Sequence, residues 1–149
     1  MAILSFDIGG SSVKYAVIEK TGKILAKGKK TTPQEKEEFF RLIENVAASY
    51  RRAYTIEGAG FSFPGAVDDV SGVIGGSSAL PYIHDFPIRQ ELERRLSLPA
   101  ALENDANCAA LGESWLGVGK EHEDLVFLVI GTGIGGAVVK GKRIHHGKH

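Results

Sequence analysis

Cysteine, net charge and long apolar runs are all scarce in this sequence. Cys108 is the only cysteine among 149 residues, which excludes an internal disulfide and fits a reducing cytoplasm, the compartment we expect. Lysine and arginine number 18 and so do aspartate and glutamate, so the net charge gives no reason to bind nucleic acid or an anionic membrane. The longest apolar run, residues 125–130, is too short to cross a bilayer. We therefore expect neither nucleic acid nor a membrane as a partner.

Glycine, by contrast, is abundant. Most of the 19 glycines gather in three regions, at residues 9–10, 58–76 and 131–141, which indicates shaped loops. The hydrophobic fraction of 43% and the charged fraction of 24% are typical of a globular protein. A chain of this length suits one domain, or one domain with part of another.

Apolar periodicity and turn signals predict an α/β fold. Thr32 and Glu35 have the spacing of a capping box, with Pro33 at the first helical position, so a helix should run from there to Tyr50. Three antiparallel strands should precede it, at residues 3–6, 13–18 and 24–29. The elements predicted after it are strands at 56–63, 100–103 and 125–130 and helices at 87–96 and 106–115. The helix at 106–115 should bury Cys108, Leu111 and Trp115. The strand at 125–130 is apolar on both faces, as a central strand of a sheet would be.

Residues 117–124 are polar and contain two glycines, which indicates a linker between domains. We place an N-terminal domain at residues 1–118. Residues 119–149 then form the start of a second, incomplete domain.

The first glycine turn joins two predicted strands. Gly9 and Gly10 have no side chains, so the backbone can curl tightly and bring its N–H groups close to an anion. Asp7 stands just before them, and its carboxylate would repel bare phosphate unless a metal ion lay between the two. The turn therefore favours a Mg²⁺–nucleotide, with Asp7 holding the ion through the nucleotide. Hairpins with glycine turns are common, so this stretch alone does not identify a function.

A second glycine turn repeats this design after strand 125–130. It reads Gly131-Thr132-Gly133-Ile134-Gly135-Gly136, and the Thr132 hydroxyl can donate to a phosphate oxygen. The glycines also match the dinucleotide pattern G-x-G-x-x-G, but that pattern must open a helix and here a β-rich run follows. We therefore reject a dinucleotide site. The two hairpins, in separate sheets, should hold the phosphates of one nucleotide from two sides.

Asp105 is the best candidate for a catalytic base. It lies where a predicted strand ends and a helix begins, and backbone N–H groups can orient a carboxylate there. In phosphoryl transfer, a carboxylate so placed accepts the proton of the attacking hydroxyl. Asn104 beside it can exchange hydrogen bonds with a polyol. Judged on local sequence, one of the two simply caps the helix, and that interpretation is compatible with a catalytic role.

Four stretches together resemble the ROK family of repressors, open reading frames and sugar kinases. They occur in the family's order and span nearly the whole chain; the stretches are Asp7-Ile8-Gly9-Gly10, Ser62-Phe63-Pro64-Gly65-Ala66-Val67-Asp68, Glu103-Asn104-Asp105-Ala106-Asn107 and Gly131-Thr132-Gly133-Ile134-Gly135-Gly136. The resemblance implies an actin-like ATPase fold, of the ribonuclease H-like kind. It also implies transfer of the γ-phosphate of ATP to a sugar hydroxyl, usually O6 of a hexose.

On that resemblance, Asp105 is the base, and Gly65 and Asn104 help to hold the sugar. ATP and Mg²⁺ are the expected cofactors, with Asp7 as the candidate magnesium ligand. Ser11 stands where the family usually has threonine, which keeps the hydroxyl. The candidate nucleotide-binding residues are Asp7, Gly9, Gly10, Ser11, Ser12, Lys14, Gly131, Thr132, Gly133, Gly135 and Gly136.

Family members continue beyond the second glycine turn, where this chain soon ends. The absent part would carry further sugar-binding residues, the adenine site and a cysteine-rich structural zinc site. We expect an N-terminal half of a kinase, inactive alone, that assembles as a homodimer.

Two other functions are compatible with parts of the sequence. One is a sugar-binding regulatory or assembly module without kinase activity. The other is a sugar-responsive repressor of the same family, which is disfavoured because the first turn begins at Asp7, leaving no room for a preceding helix-turn-helix.

Overall fold

The computed structural model describes residues 1–130 and 134–147. It divides into two compact units, Met1–Glu103 and Asn104–His149. The strands are β1 (Ala2–Ile8), β2 (Ser12–Glu19), β3 (Ile24–Thr31), β4 (Ile56–Phe63), β5 (Ala66–Asp68), β6 (Val73–Gly75), β7 (Ala100–Asn104), β8 (Leu125–Ile130), β9 (Ile134–Lys140) and β10 (Arg143–Ile144). The helices are α1 (Lys36–Arg51), α2 (Ile88–Leu96) and α3 (Asp105–Trp115), with a short 3-10 helix at Pro81–Ile83.

The first unit is built on a five-stranded sheet with the order β3-β2-β1-β4-β7. Strand β1 pairs antiparallel with β2 and parallel with β4. Alternate residues of β1 point to opposite faces, so Leu4, Phe6 and Ile8 are buried while Asp7 is exposed. In this register Asp7 lies between Lys14 of β2 and Ser62 of β4, which brings three polar side chains together beside the first glycine turn.

Helices α1 and α2 contribute to the same core as the sheet. Phe39 of α1 packs against Phe63 of β4, with ring centroids 6.4 Å apart. Arg95 of α2 joins the two helices: its guanidinium donates to Glu37 of α1 and to Glu91 of α2, and it lies over the Phe40 ring. The predicted strands and helices of this unit are therefore confirmed, to within a few residues at their ends.

The predicted capping box is wrong. Helix α1 begins at Lys36 with Glu35 as its N-cap, and no side chain makes a capping hydrogen bond. Thr32 lies outside the helix, and its hydroxyl donates to the carbonyl of Gly9.

The second unit packs α3 against a three-stranded antiparallel sheet with the order β10-β9-β8. The buried positions of α3 are Ala106, Ala110 and Ser114, not the predicted stripe, and Trp115 is 54% exposed. These small residues recur every four positions and let the helix approach the sheet closely. The predicted strand at 125–130 is confirmed as β8. Its two apolar faces are typical of a central strand, but within the described residues β8 lies at the sheet edge and much of its apolar surface is exposed.

The predicted linker is folded onto the end of α3. The N–H groups of Gly117 and Gly119 both donate to the carbonyl of Glu113. Lys142, in the β9–β10 turn, donates through Nζ to the carbonyls of Ser114, Gly119 and Lys120. The boundary between the compact units falls before α3, and the division of the protein at 118/119 stays a prediction.

Within the described ranges, none of the helices combines the length and the apolar character needed to cross a membrane.

Candidate active site

The first glycine turn is held by a buried threonine. The N–H of Gly9 donates to the carbonyl of Ser12 across 3.0 Å, which closes the turn between β1 and β2. The carbonyl of Gly9 accepts from the Thr32 hydroxyl at 2.6 Å, and the Thr32 N–H donates to the carbonyl of Ser11 at 3.2 Å. Thr32 is only 2% exposed, so water competes little for these bonds. The backbone that should face phosphate is therefore held in place by hydrogen bonds to the buried Thr32.

Asp7 has two polar neighbours at the edge of this turn. Its Oδ1 accepts from the Ser62 hydroxyl at 3.0 Å, and its Oδ2 lies 3.5 Å from Nζ of Lys14. The Asp7 and Lys14 side chains are 51% and 63% exposed, so solvent screens the pair. Lys14 nevertheless offsets part of the negative charge that an incoming phosphate would meet.

Asp7 fits a magnesium ion that is held mainly by a nucleotide. The described residues contain no group of three or more histidine, cysteine, aspartate or glutamate side chains able to cage a metal. Mg²⁺ in nucleotide sites commonly takes one or two protein carboxylates and fills its remaining positions with phosphate oxygens and water. A single half-exposed carboxylate beside a glycine turn supplies that kind of donor set.

Gly65 follows β4 in a backbone conformation that requires glycine. Its φ of +108° lies in the region that side chains disfavour. A Cβ there would lie 3.0 Å from Cε1 of His84 and 3.0 Å from Cγ2 of Ile74. The turn that should face the sugar is therefore packed against Ile74 of β6 and against His84 in the segment that follows β6.

In the second unit, Asn104 caps α3. Its Oδ1 accepts from the N–H groups of Ala106 at 2.9 Å and Asn107 at 3.3 Å, so the capping interpretation is confirmed for Asn104. Asp105 is the first helical residue, and its Oδ1 accepts from the Ala106 N–H at 2.8 Å. The carboxylate is exposed and lies where the helix dipole favours negative charge. This position suits a base that must be ionised and accessible.

The second glycine hairpin approaches the same end of α3. A Cβ on Gly135 would lie 3.3 Å from the Cβ of Ala106, so only a small residue fits between β9 and the helix. A Cβ on Gly136 would meet Leu128 of the paired strand β8 at 3.5 Å. Gly135 is thus placed near Asp105, one residue before Ala106.

The candidate residues therefore fall into two groups. The first unit brings together Asp7, Gly9, Gly10, Ser11, Ser12 and Lys14, with Gly65 on an adjoining turn. The second unit brings together Asn104, Asp105 and Gly135. Gly131, Thr132 and Gly133 lie outside the described residues.

Sequence reasoning missed the polar residues that support these turns. The spacing of Thr32 and Glu35 predicts a helix cap, and no sequence pattern assigns a role to Ser62 or His84. Ser62 could have been found from its place at the end of a strand parallel to β1, which puts it beside Asp7. Nothing local in the sequence pairs Thr32 with Gly9.

Comparison with known proteins gives a consistent result. The ROK family model matches residues 3–149. A glucokinase from Thermotoga maritima is 35% identical over 141 residues, covering 93% of this chain and 44% of the relative. A beta-glucoside kinase from Klebsiella pneumoniae is 35% identical over 138 residues, covering 93% of this chain and 46% of the relative.

The fold matches solved structures as well. A ROK family glucokinase from Streptomyces griseus, crystallised with glucose and AMPPNP, superposes with a TM-score of 0.89. It is 31% identical, and the match covers 99% of this chain and 47% of that one. The chain spans about half the length of the curated relatives that it matches.

Proposed function

The chain belongs to the ROK family and has its actin-like ATPase fold, and from this premise we propose that it is the N-terminal half of an ATP-dependent sugar kinase. The observation that carries the proposal is the exposed Asp105 carboxylate at the start of α3, oriented by the Ala106 N–H beside Gly135 of the second glycine hairpin. A base in that position is what transfer of phosphate to a hydroxyl requires.

Asp105 acts as the general base. It accepts the proton of the sugar hydroxyl as that oxygen attacks the γ-phosphorus of ATP. The new oxygen–phosphorus bond forms while the bond from the γ-phosphorus to the β–γ bridging oxygen breaks, and ADP leaves with that electron pair. The proton on Asp105 then passes to solvent. O6 of a hexose is the proposed acceptor, as the resemblance to the ROK sugar kinases implies.

The glycine turns bind the phosphates of ATP. The backbone of the Gly9–Gly10 turn lets the anion approach closely, and the hydrogen bonds that Gly9 makes with Thr32 and Ser12 keep this turn in one shape. Mg²⁺, held by Asp7 together with the phosphates, would neutralise charge on the transferring group. Lys14 adds a positive charge at the same edge.

Asn104 and Gly65 hold the sugar. Asn104 caps α3 through Oδ1, and its side-chain amide also has N–H donors of the kind that sugar oxygens accept. Gly65 offers backbone groups without a side chain in the way. The names of the relatives favour glucose or a β-glucoside as the substrate class.

The chain alone is proposed to be inactive. Its curated relatives are about twice as long, and the missing length would supply further sugar contacts, the adenine site and any structural zinc. Assembly as a homodimer is part of the same proposal.

A second candidate function is a sugar-binding assembly module without kinase activity. The exposed apolar side chains of β8, Val126, Leu128 and Ile130, favour it, because an uncovered edge strand promotes self-association. A monodisperse monomer on a sizing column would contradict this alternative.

The deciding experiment begins with the intact mass of the native protein from its source cells. A mass about twice the 16.0 kDa of this chain would mean that these residues are half of a longer protein. A coupled ATP assay over a hexose panel follows, on the native protein and on Asp105→Asn. We expect the variant to lose at least about 99% of its turnover while sugar binding persists. Equal turnover in the two proteins would remove Asp105 from the role of base.

A further inference from the structure

The loop between β6 and α2 contains a side-chain pair that the proposed mechanism does not use. Oγ of Ser78 lies 2.8 Å from Nε2 of His84, and Nδ1 of His84 lies 3.3 Å from the carbonyl oxygen of Ile74. A carbonyl only accepts, so Nδ1 carries the proton and Nε2 accepts from the Ser78 hydroxyl. We call Ile74, Ser78 and His84 the clasp.

The clasp closes the loop at both ends. Oγ of Ser78 also accepts from the Leu80 N–H at 3.1 Å, and the Ile74 carbonyl also accepts from the Asp85 N–H at 3.0 Å. His84 is half-buried, and each of its ring nitrogens has a hydrogen-bonding partner. The Nδ1–H tautomer of the ring therefore satisfies every group, whereas the Nε2–H tautomer would set the Nδ1 lone pair against the Ile74 carbonyl oxygen.

The closed loop touches both turns of the first unit. A Cβ on Gly65 would lie 3.0 Å from Cε1 of His84. A Cβ on Gly10 would lie 2.9 Å from the Cβ of Ala79, the residue next to Ser78. The same loop therefore packs against the turn assigned to the sugar and the turn assigned to the nucleotide phosphates.

We propose that His84 is a positioning residue, which fixes the distance and orientation between the Gly10 turn and the Gly65 turn through the clasp. This inference rests on the proposed function, which assigns the Gly10 turn to the nucleotide phosphates and the Gly65 turn to the sugar. Phosphoryl transfer needs its two substrates aligned, and a misplacement of about 1 Å can cost about 100-fold in rate. His84 contacts neither reacting group and acts through the backbone that does.

The test is nitrogen NMR on the chain at about pH 8, where an ordinary imidazole is neutral. We expect His84 to show the Nδ1–H tautomer, with the exposed His122 as the reference ring. In Ser78→Ala and His84→Phe, the amide signals of Gly10 and Gly65 should both shift. Val46→Ala, a buried change in the middle of α1, lowers stability and should leave those two signals in place.

An Nε2–H tautomer overturns the proposal, and so do Gly10 and Gly65 signals that stay fixed in both loop variants. Titration of the chain with MgATP and with glucose tests the proposed function separately from the role of His84. Absence of binding to the native chain would count against ligand binding by this half alone, while the tautomer and the signals would still decide the clasp. Where binding is seen, His84→Phe should weaken both ligands about tenfold. His84→Asn, which keeps a donor toward Ile74, should recover part of that loss.

Discussion

Replacing Thr32 by valine tests whether the first glycine turn is held from behind. Valine has nearly the same shape, so the change removes the hydroxyl donor and leaves the packing intact. The bond it deletes is short, 2.6 Å from Oγ1 to the Gly9 carbonyl, and Thr32 is 2% exposed. A buried carbonyl that loses its donor costs about 1–3 kcal/mol. Gly9 is only half-buried and can recruit some water, so we expect a loss of about 1.5 kcal/mol in the free energy of unfolding.

Urea unfolding of the native chain and the variant measures this loss. Thr31→Val is the matched control: the same substitution one residue earlier, at an exposed position of the edge strand β3, should change stability by less than about 0.5 kcal/mol. Thr32→Ser keeps the hydroxyl and should retain most of the stability. The turn should also relax, so the affinity of Thr32→Val for MgATP should fall by more than that of Thr32→Ser.

The reasoning is refuted if Thr32→Val and Thr31→Val have the same free energy of unfolding. A loss of stability with unchanged backbone signals at Gly9 and Gly10 would keep the hydrogen bond as a stabilising contact but deny it any role in shaping the turn.

Two further predictions concern stability. Arg95→Met should cost about 2 kcal/mol at pH 7, because Arg95 is 15% exposed and donates to both Glu37 and Glu91. Hydrogen bonds from Arg94 and Arg95 lower the pKa of Glu91 to about 2, so this stabilisation is present above the ordinary glutamate range and is lost as the pH falls toward 2. The difference in free energy of unfolding between the native chain and Arg95→Met should therefore become smaller in acid. A difference that does not change with pH would show that packing of the Arg95 side chain dominates. Ser114→Ala should raise the free energy of unfolding by about 1 kcal/mol, because the Ser114 hydroxyl is buried and has no hydrogen-bond partner among the described residues. Thermal unfolding measures the change, and a lower melting temperature would contradict it.

Much of the fold and part of the site follow from the sequence because their signals are local. Alternation along β1 fixes which residues are buried, and the glycines at 9 and 10 place a tight turn between β1 and β2. The strand-to-helix junction at Asn104 and Asp105 is likewise predicted by adjacent residues, because a capping residue directly precedes the helix. For such features the period of the backbone and the chemistry of neighbouring residues suffice.

Tertiary structure decided which partner each polar side chain takes. Thr32 has the spacing of a helix cap, yet it donates to Gly9, 23 residues away, because the sheet register brings the end of β3 beside the turn. Helix α3 carries both a large apolar stripe and a stripe of small residues, and close approach to β9 at Gly135 selected the small one. His84 acquires its tautomer only because Ser78 and Ile74 flank the ring in the folded loop. For such side chains the local sequence is compatible with several partners or buried faces. Contacts between segments that are distant in the sequence determine which of them forms.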